Sequence, residues 1–106
     1  MEKLEALLAA GQDSASLRFA LANGYLKQDG AEQAVVHARI ATELDPQYSA
    51  AWRLLGQAQV ELGQAQEAIA SFEMGIQVAG KNGDRQVEKE MQVFLKRLRN
   101  ASGSPE

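Results

Sequence analysis

The only histidine, His37, is the first candidate for chemistry, because imidazole is a common general base and metal ligand. The chain contains no cysteine, which excludes disulfides and thiolate metal sites. It also lacks an H-E-x-x-H pair and the glycine-rich loops G-x-x-x-x-G-K and G-x-G-x-x-G. These patterns would place a zinc ion or a phosphate. A lone histidine is usually structural, so we predict no enzyme activity, no metal and no cofactor.

Acidic side chains are the second source of possible chemistry. Glu61, Glu67 and Glu73 fall on the predicted solvent sides of helices, and they do not form the close carboxylate pair that general acid–base work needs. Gly80 and Gly83 are spaced as turn residues and not as a phosphate loop. The sequence therefore favours a binding or structural protein over a catalyst.

Length and composition favour one small helical domain. The chain has 106 residues, of which 45% are apolar, enough for one domain or a short array of repeats. Val, Ile and Thr are too scarce to build several strands, so helices are favoured. No apolar run approaches the roughly 20 residues that span a bilayer, and the start Met1-Glu2-Lys3 is too acidic for a secretory signal. We predict a cytoplasmic protein with no membrane contact.

The charge balance argues against nucleic acid as a partner. There are 11 basic and 14 acidic residues, for a net charge of −3, whereas nucleic-acid binders carry a basic domain or stripe. The distribution is uneven: residues 1–80 carry five basic and ten acidic side chains, and residues 81–99 carry six basic and three acidic. A solvated helix face with cations near its C-terminus accounts for this. The alternative is a phosphate, lipid or RNA contact.

Hydrophobic spacing predicts six helices separated by Gly11, Asp29-Gly30, Asp45-Pro46, Gly63 and a loop over residues 80–83. The predicted helices cover residues 2–10, 15–27, 31–44, 47–62, 64–78 and 84–99. The last carries a single apolar stripe, formed by Val87, Met91, Phe94, Leu95 and Leu98. Residues 100–106 (N-A-S-G-S-P-E) have nothing to bury and are predicted to be disordered.

The two central hairpins superpose when the sequence is shifted against itself. A single shift, which we call the repeat shift, places Leu21 on Leu55 and Ala34 on Ala68. Its length, roughly 34 residues, is typical of helical repeat architectures. The best-matched positions are small or apolar, as close helix packing requires.

The combined pattern of the two hairpins resembles the tetratricopeptide repeat motif, W-x2-L-G-x2-Y followed by A-x3-F and P. The second hairpin supplies Trp52, Leu55, Gly56, Ala68 and Phe72, with Gln59 at the tyrosine place and Gly80 at the proline place. The first supplies Leu21, Tyr25, Ala34 and Pro46, with Arg18, Ala22 and Ala38 at the Trp, Gly and Phe places. Each hairpin thus retains what the other lacks.

The resemblance implies an all-α fold of antiparallel helical hairpins stacked as a right-handed superhelix of about six helices. The expected organisation is a half-repeat helix at 2–10, repeats at 15–48 and 49–82, a capping helix at 84–99 and the tail at 100–106. A terminal helix with a polar outer face is what such stacks need at their ends.

The resemblance also implies a scaffold that binds a protein or peptide in a concave groove lined by the first helix of each repeat. Carried onto this chain, the groove residues are Ser16, Phe19, Asn23, Leu26, Lys27, Ala50, Arg53, Gln57 and Val60. The apolar members would form a floor, and the polar ones would bond a peptide backbone or carboxylate. The alternative is that these side chains are solvated or covered by the last helix.

Some proteins of this family clamp a C-terminal carboxylate with paired Lys and Asn residues. Of that clamp only Asn23 matches, because Phe19 replaces its lysine and Leu54 its next asparagine. The ligand class therefore stays open. A different possibility is self-association, most simply a homodimer formed through the stripe of the last helix.

Overall fold

A computed structural model describes residues 1–101, and within them all regular structure is helical. The helices are α1 (Glu2–Ala9), α2 (Ala15–Lys27), α3 (Ala31–Leu44), α4 (Ser49–Glu61), α5 (Ala65–Asn82) and α6 (Arg85–Ala101). The predicted all-α class with about six helices is confirmed.

The end of α5 differs from the prediction of a loop at residues 80–83. The helix continues through Asn82 and closes at Gly83, whose φ of +77° is the left-handed conformation that glycine adopts without strain. Val78 and Ala79 are buried, and Ala79 belongs to the core shared with α6. Burial of this turn against α6 outweighs the low helix propensity of Gly80.

The prediction of a disordered tail from residue 100 is wrong for its first two residues. Asn100 and Ala101 complete α6, because that helix stays packed against α5 along its apolar stripe. The rest of the predicted tail, residues 102–106, lies outside the described residues.

The helices pack as consecutive hairpins, α2 with α3 and α4 with α5, and α6 then packs on α5. The first core cluster lies among α2, α3 and α4 and comprises Ala22, Ala34, Val35, Ala38, Leu54, Leu55 and Ala58. The second lies between α5 and α6 and comprises Ala68, Phe72, Ala79, Met91 and Leu95. Trp52 on α4 packs against both clusters, so it joins the two halves of the core.

A polar cluster joins the N-terminal elements at α2. Asp13 forms a two-pronged ion pair with Arg18, with nitrogen–oxygen distances of 2.8 and 3.0 Å. Arg18 Nη1 lies 3.0 Å from His37 Nδ1 on α3. The ring of Tyr25 is stacked on that imidazole at 5.5 Å between centroids, and its hydroxyl donates to Glu5 on α1. His37 thus contributes to helix packing.

Acidification is expected to destabilise the fold through His37. Burial and the nearby Arg18 guanidinium hold the pKa of His37 below its ordinary value, while Glu5 and Asp13 act weakly in the opposite direction. The folded protein therefore binds this proton less tightly than the unfolded chain. The stability contributed by neutral His37 is complete above the unfolded pKa of about 6.5 and is lost as the pH falls below it.

The measurement is the urea unfolding midpoint of the wild type and His37→Gln between pH 8 and 5. Glutamine keeps a hydrogen-bond acceptor for Arg18 but cannot titrate, so its midpoint should fall less over this interval. Equal pH dependence in the two proteins would contradict the assignment.

Candidate ligand-binding groove

One face of the molecule is lined by α2, α4 and α6. Helix α4 contacts both α2 and α6, whereas α3 and α5 lie on the other side of α4 and do not contact each other. We call the first surface the groove face and the second the back face. The candidate residues predicted on α2 and α4 are therefore carried by two adjacent helices, and α6 extends the same surface.

The α2 part of the groove face is largely closed by its own apolar side chains. Phe19 and Leu26 are partly buried and pack against the first core cluster. The Phe19 ring also lies 5.1 Å from that of Tyr48. Ser16 and Lys27 are exposed. The predicted apolar floor at α2 is thus a seam between α2 and α4, which leaves mainly polar side chains for a ligand.

Asn23, on α2, and Gln57, on α4, are the amides that the sequence reasoning placed in the groove. Both are partly exposed, and neither side chain has a hydrogen-bond partner within residues 1–101. A primary amide offers one acceptor and two donor hydrogens, which matches the alternation of a peptide backbone. Both side chains are therefore free to bond a main chain laid along this face.

Arg53 is held by α6. Its Nη1 donates to Glu90 Oε1 at 2.5 Å, and Gln86 Nε2 donates to the other oxygen at 3.2 Å. The hydrogen bond from Gln86 has the largest effect and the one from Arg53 the next largest, and together they hold the pKa of the Glu90 carboxyl below its ordinary value. Arg53 Nε is buried and has no partner in the described chain. The guanidinium is therefore positioned by α6, a contact that sequence reasoning did not find.

An apolar crevice opens between α4 and α6. It has a volume of about 360 Å³ and is lined by Gln57, Val60, Glu61, Phe72, Phe94, Arg97, Leu98 and Ala101. Val60 is 41% exposed, whereas Phe94 and Leu98 are partly buried and also pack on the second core cluster. Apolar walls with a few polar groups at the rim are typical of ligand pockets.

Two of the predicted groove residues, Gln57 and Val60, are brought together in this crevice. Phe94, Arg97 and Leu98 were missed, because the apolar stripe of the last helix was considered only for core packing or for self-association. A usable signal existed: the repeat shift that places Leu26 on Val60 also places Val60 on Phe94. The repeat thus puts Phe94 at a groove position of α6.

None of the helices in residues 1–101 is long and apolar enough to cross a membrane. The same residues contain no group of three or more His, Asp or Glu side chains able to hold a metal ion.

Comparison with known proteins gives closely similar relatives. No family model matches the sequence. The chain is 46% identical over 101 residues to the TPR repeat-containing protein PA0015 of Pseudomonas aeruginosa, covering 95% of this chain and 96% of that protein. It is also 29% identical over 75 residues to the heat-shock protein cognate co-chaperone sgt12 of Aspergillus fumigatus, covering 71% of this chain but only 22% of that protein.

Solved structures show the same architecture. Protein BPP2914 from Bordetella parapertussis has a TM-score of 0.81 and 42% identity, covering 94% of this chain and 87% of that one. The crystal structure of a tetratricopeptide repeat domain protein from Salinibacter ruber has a TM-score of 0.77 and 28% identity, covering 83% of this chain and 98% of that one. With a near full-length relative at 46% identity, the chain belongs to the tetratricopeptide repeat family.

Proposed function

We propose that this protein is a scaffold that binds an extended segment of a partner protein along the groove face. Tetratricopeptide repeat proteins generally act as interaction modules without catalysis, and the observation that carries the proposal is the crevice between α4 and α6. It is open, apolar inside and flanked by unpaired polar groups. An apolar side chain of the partner enters it, and burial of such a side chain is worth about 1.5–3 kcal/mol.

The groups around the crevice define the rest of the ligand. Gln57 in the crevice and Asn23 on the neighbouring α2 bond the backbone of the segment, while Arg97 and Glu61 at the rim select its flanking charges. The position where the carboxylate clamp of some relatives has a second asparagine is Leu54, which is only 4% exposed. This departure favours an internal segment of the partner over a free C-terminus.

Placing a charge in the crevice is expected to weaken selective peptide binding. The wild type, Val60→Asp and Val36→Asp are each panned against a random-peptide display library, and enriched peptides are measured by calorimetry. Val60→Asp should weaken them by about tenfold or more, because the carboxylate loses water in an apolar site. Val36 on α3 is 54% exposed and outside the crevice, so Val36→Asp is the matched control. Equal weakening by both variants, or none by Val60→Asp, would refute the groove assignment.

Self-association is the second function derived from the sequence and stays a prediction. Sedimentation equilibrium over a hundredfold range of concentration separates it from peptide binding. A constant monomer mass would leave the scaffold as the remaining interpretation, and a dimer that dissociates on Val93→Asp would place the contact on α6, where Val93 is 48% exposed.

A further inference from the structure

A second cleft lies on the back face, between α3 and α5. The two helices flank α4 without touching each other, and the space between them has a volume of about 370 Å³. Trp52, Leu55 and Gln59 of α4 contribute to its lining, and the remaining lining residues are Arg39, Thr42, Glu43, Glu67, Ala70, Ser71 and Met74. No residue of the groove crevice contributes to it.

The matching place in the first hairpin is filled by the protein's own side chains. The repeat shift relates Tyr25 to Gln59 and His37 to Ser71. In the first hairpin the phenol ring stacks on the imidazole, with 5° between the ring planes. In the second, Ser71 Oγ donates to Gln59 Oε1 at 2.6 Å, and both side chains are buried. An aliphatic amide and a hydroxymethyl group thus stand where two stacked rings stand in the first hairpin.

The surfaces around the gap suit an aromatic guest. The indole of Trp52 is partly exposed and lines the cleft, and Met74 on the opposite wall is 45% exposed. Ala70 and Thr42 add small side chains that leave room between the helices. Aromatic rings pack favourably on indole faces and against methionine sulfur.

The charged side chains at the rim of the cleft indicate which type of residue lies next to the aromatic ring in the guest. Glu43 on α3 and Glu67 on α5 are exposed, and neither carboxylate has an ion pair or hydrogen bond in the described part of the chain. Arg39 is the one cation of the lining, one helical turn before Glu43. The rim is therefore acidic by one charge, and Glu67 is the carboxylate most available to a guest.

We propose that the back-face cleft is a second binding site, which takes an aromatic side chain next to a basic residue in a segment of a partner protein. The ring enters the space in the second hairpin that is equivalent to the space filled by Tyr25 in the first. The neighbouring cation pairs with Glu67. The site is separate from the groove face, so one chain holds two different segments at once.

The probe is the blocked dipeptide acetyl-Tyr-Arg-amide, titrated into isotopically labelled protein and followed by the amide and indole resonances. Trp52 is the only tryptophan, so its Nε1–H resonance reports on the cleft directly. Acetyl-Ala-Arg-amide should bind about tenfold more weakly, and acetyl-Tyr-Glu-amide several-fold more weakly. The Tyr-Arg effect should also diminish in high salt.

Filling the cleft from within is the decisive test. Gln59→Tyr restores the ring of the first hairpin and is expected to weaken the dipeptide about tenfold. Ala70→Phe places a ring in the cleft from an exposed position of its wall. This variant should weaken binding of the dipeptide to the same extent, and it replaces Gln59→Tyr if that variant folds poorly. Val60→Asp, in the groove crevice, should leave this titration unchanged. Binding that persists in both filled variants, or that shifts the Phe94 and Arg97 amides but not the Trp52 indole, overturns the inference and leaves the groove proposal standing.

Discussion

Replacing Phe72 with alanine is expected to lower the free energy of unfolding by about 3–5 kcal/mol. Phe72 is the largest fully buried side chain and has no exposed surface. Its ring packs in the second core cluster and lies 5.5 Å from that of Phe94 on α6. The truncation therefore leaves a cavity between α4, α5 and α6. The expected loss is a large fraction of the total free energy of unfolding of a small domain.

The loss is measured by urea unfolding. If the slope of the free energy of unfolding against urea concentration is the same in variant and wild type, the native state has not expanded. Phe19→Ala is the matched control, since it deletes the same ring from a partly exposed seam. Its effect should be clearly smaller. If both variants shift the midpoint equally, Phe72 does not hold the hairpin core as described.

Gly56→Ala is expected to destabilise the protein by about 1–3 kcal/mol, despite the higher helix propensity of alanine. A Cβ at this position would overlap Phe72 Cε1, with the neighbouring ring atoms Cζ and Cδ1 at 2.6 and 2.7 Å. The ring is fully buried and cannot move away without opening the core. Close approach of α4 and α5 therefore depends on the absence of a side chain at residue 56.

The first hairpin supplies the control for this prediction. At the positions that the repeat shift relates to Gly56 and Phe72 it has Ala22 and Ala38, both fully buried. The double variant Gly56→Ala/Phe72→Ala should therefore be less destabilised than the sum of the two single changes, with a coupling of about 0.5–3 kcal/mol. Strict additivity would show that residues 56 and 72 do not contact each other.

Much of the fold could be predicted from the sequence, because helix periodicity and helix ends are local properties. Ser14 has a residue type that favours the N-cap position, and it accepts a hydrogen bond from the Leu17 amide at 3.0 Å. Gly63 adopts a φ of +75° at the turn predicted for it. The C-terminal end of α5 could not be predicted in this way. Its last turn forms because Ala79 is covered by α6, and no window of local sequence contains that contact.

The aromatic residues show where sequence reasoning about the core stopped. Trp52 packs against both core clusters, but it stays partly exposed and its Nε1 donates to Pro46 O at 2.9 Å. Phe72 occupies the buried centre instead. Residue type and spacing select both positions equally, and only the approach of α5 to α4 decides which ring is enclosed.

The sequence by itself determined the helical class, the repeat period and the family. These follow from spacing along one helix or between equivalent helices. The tertiary structure alone decided that Arg53 is tied to Glu90, that Phe94 joins Val60 in a crevice, and that Gln59 and Ser71 leave the back-face cleft open. Each depends on the combined volume and charge of side chains from different helices, which repeat spacing does not encode.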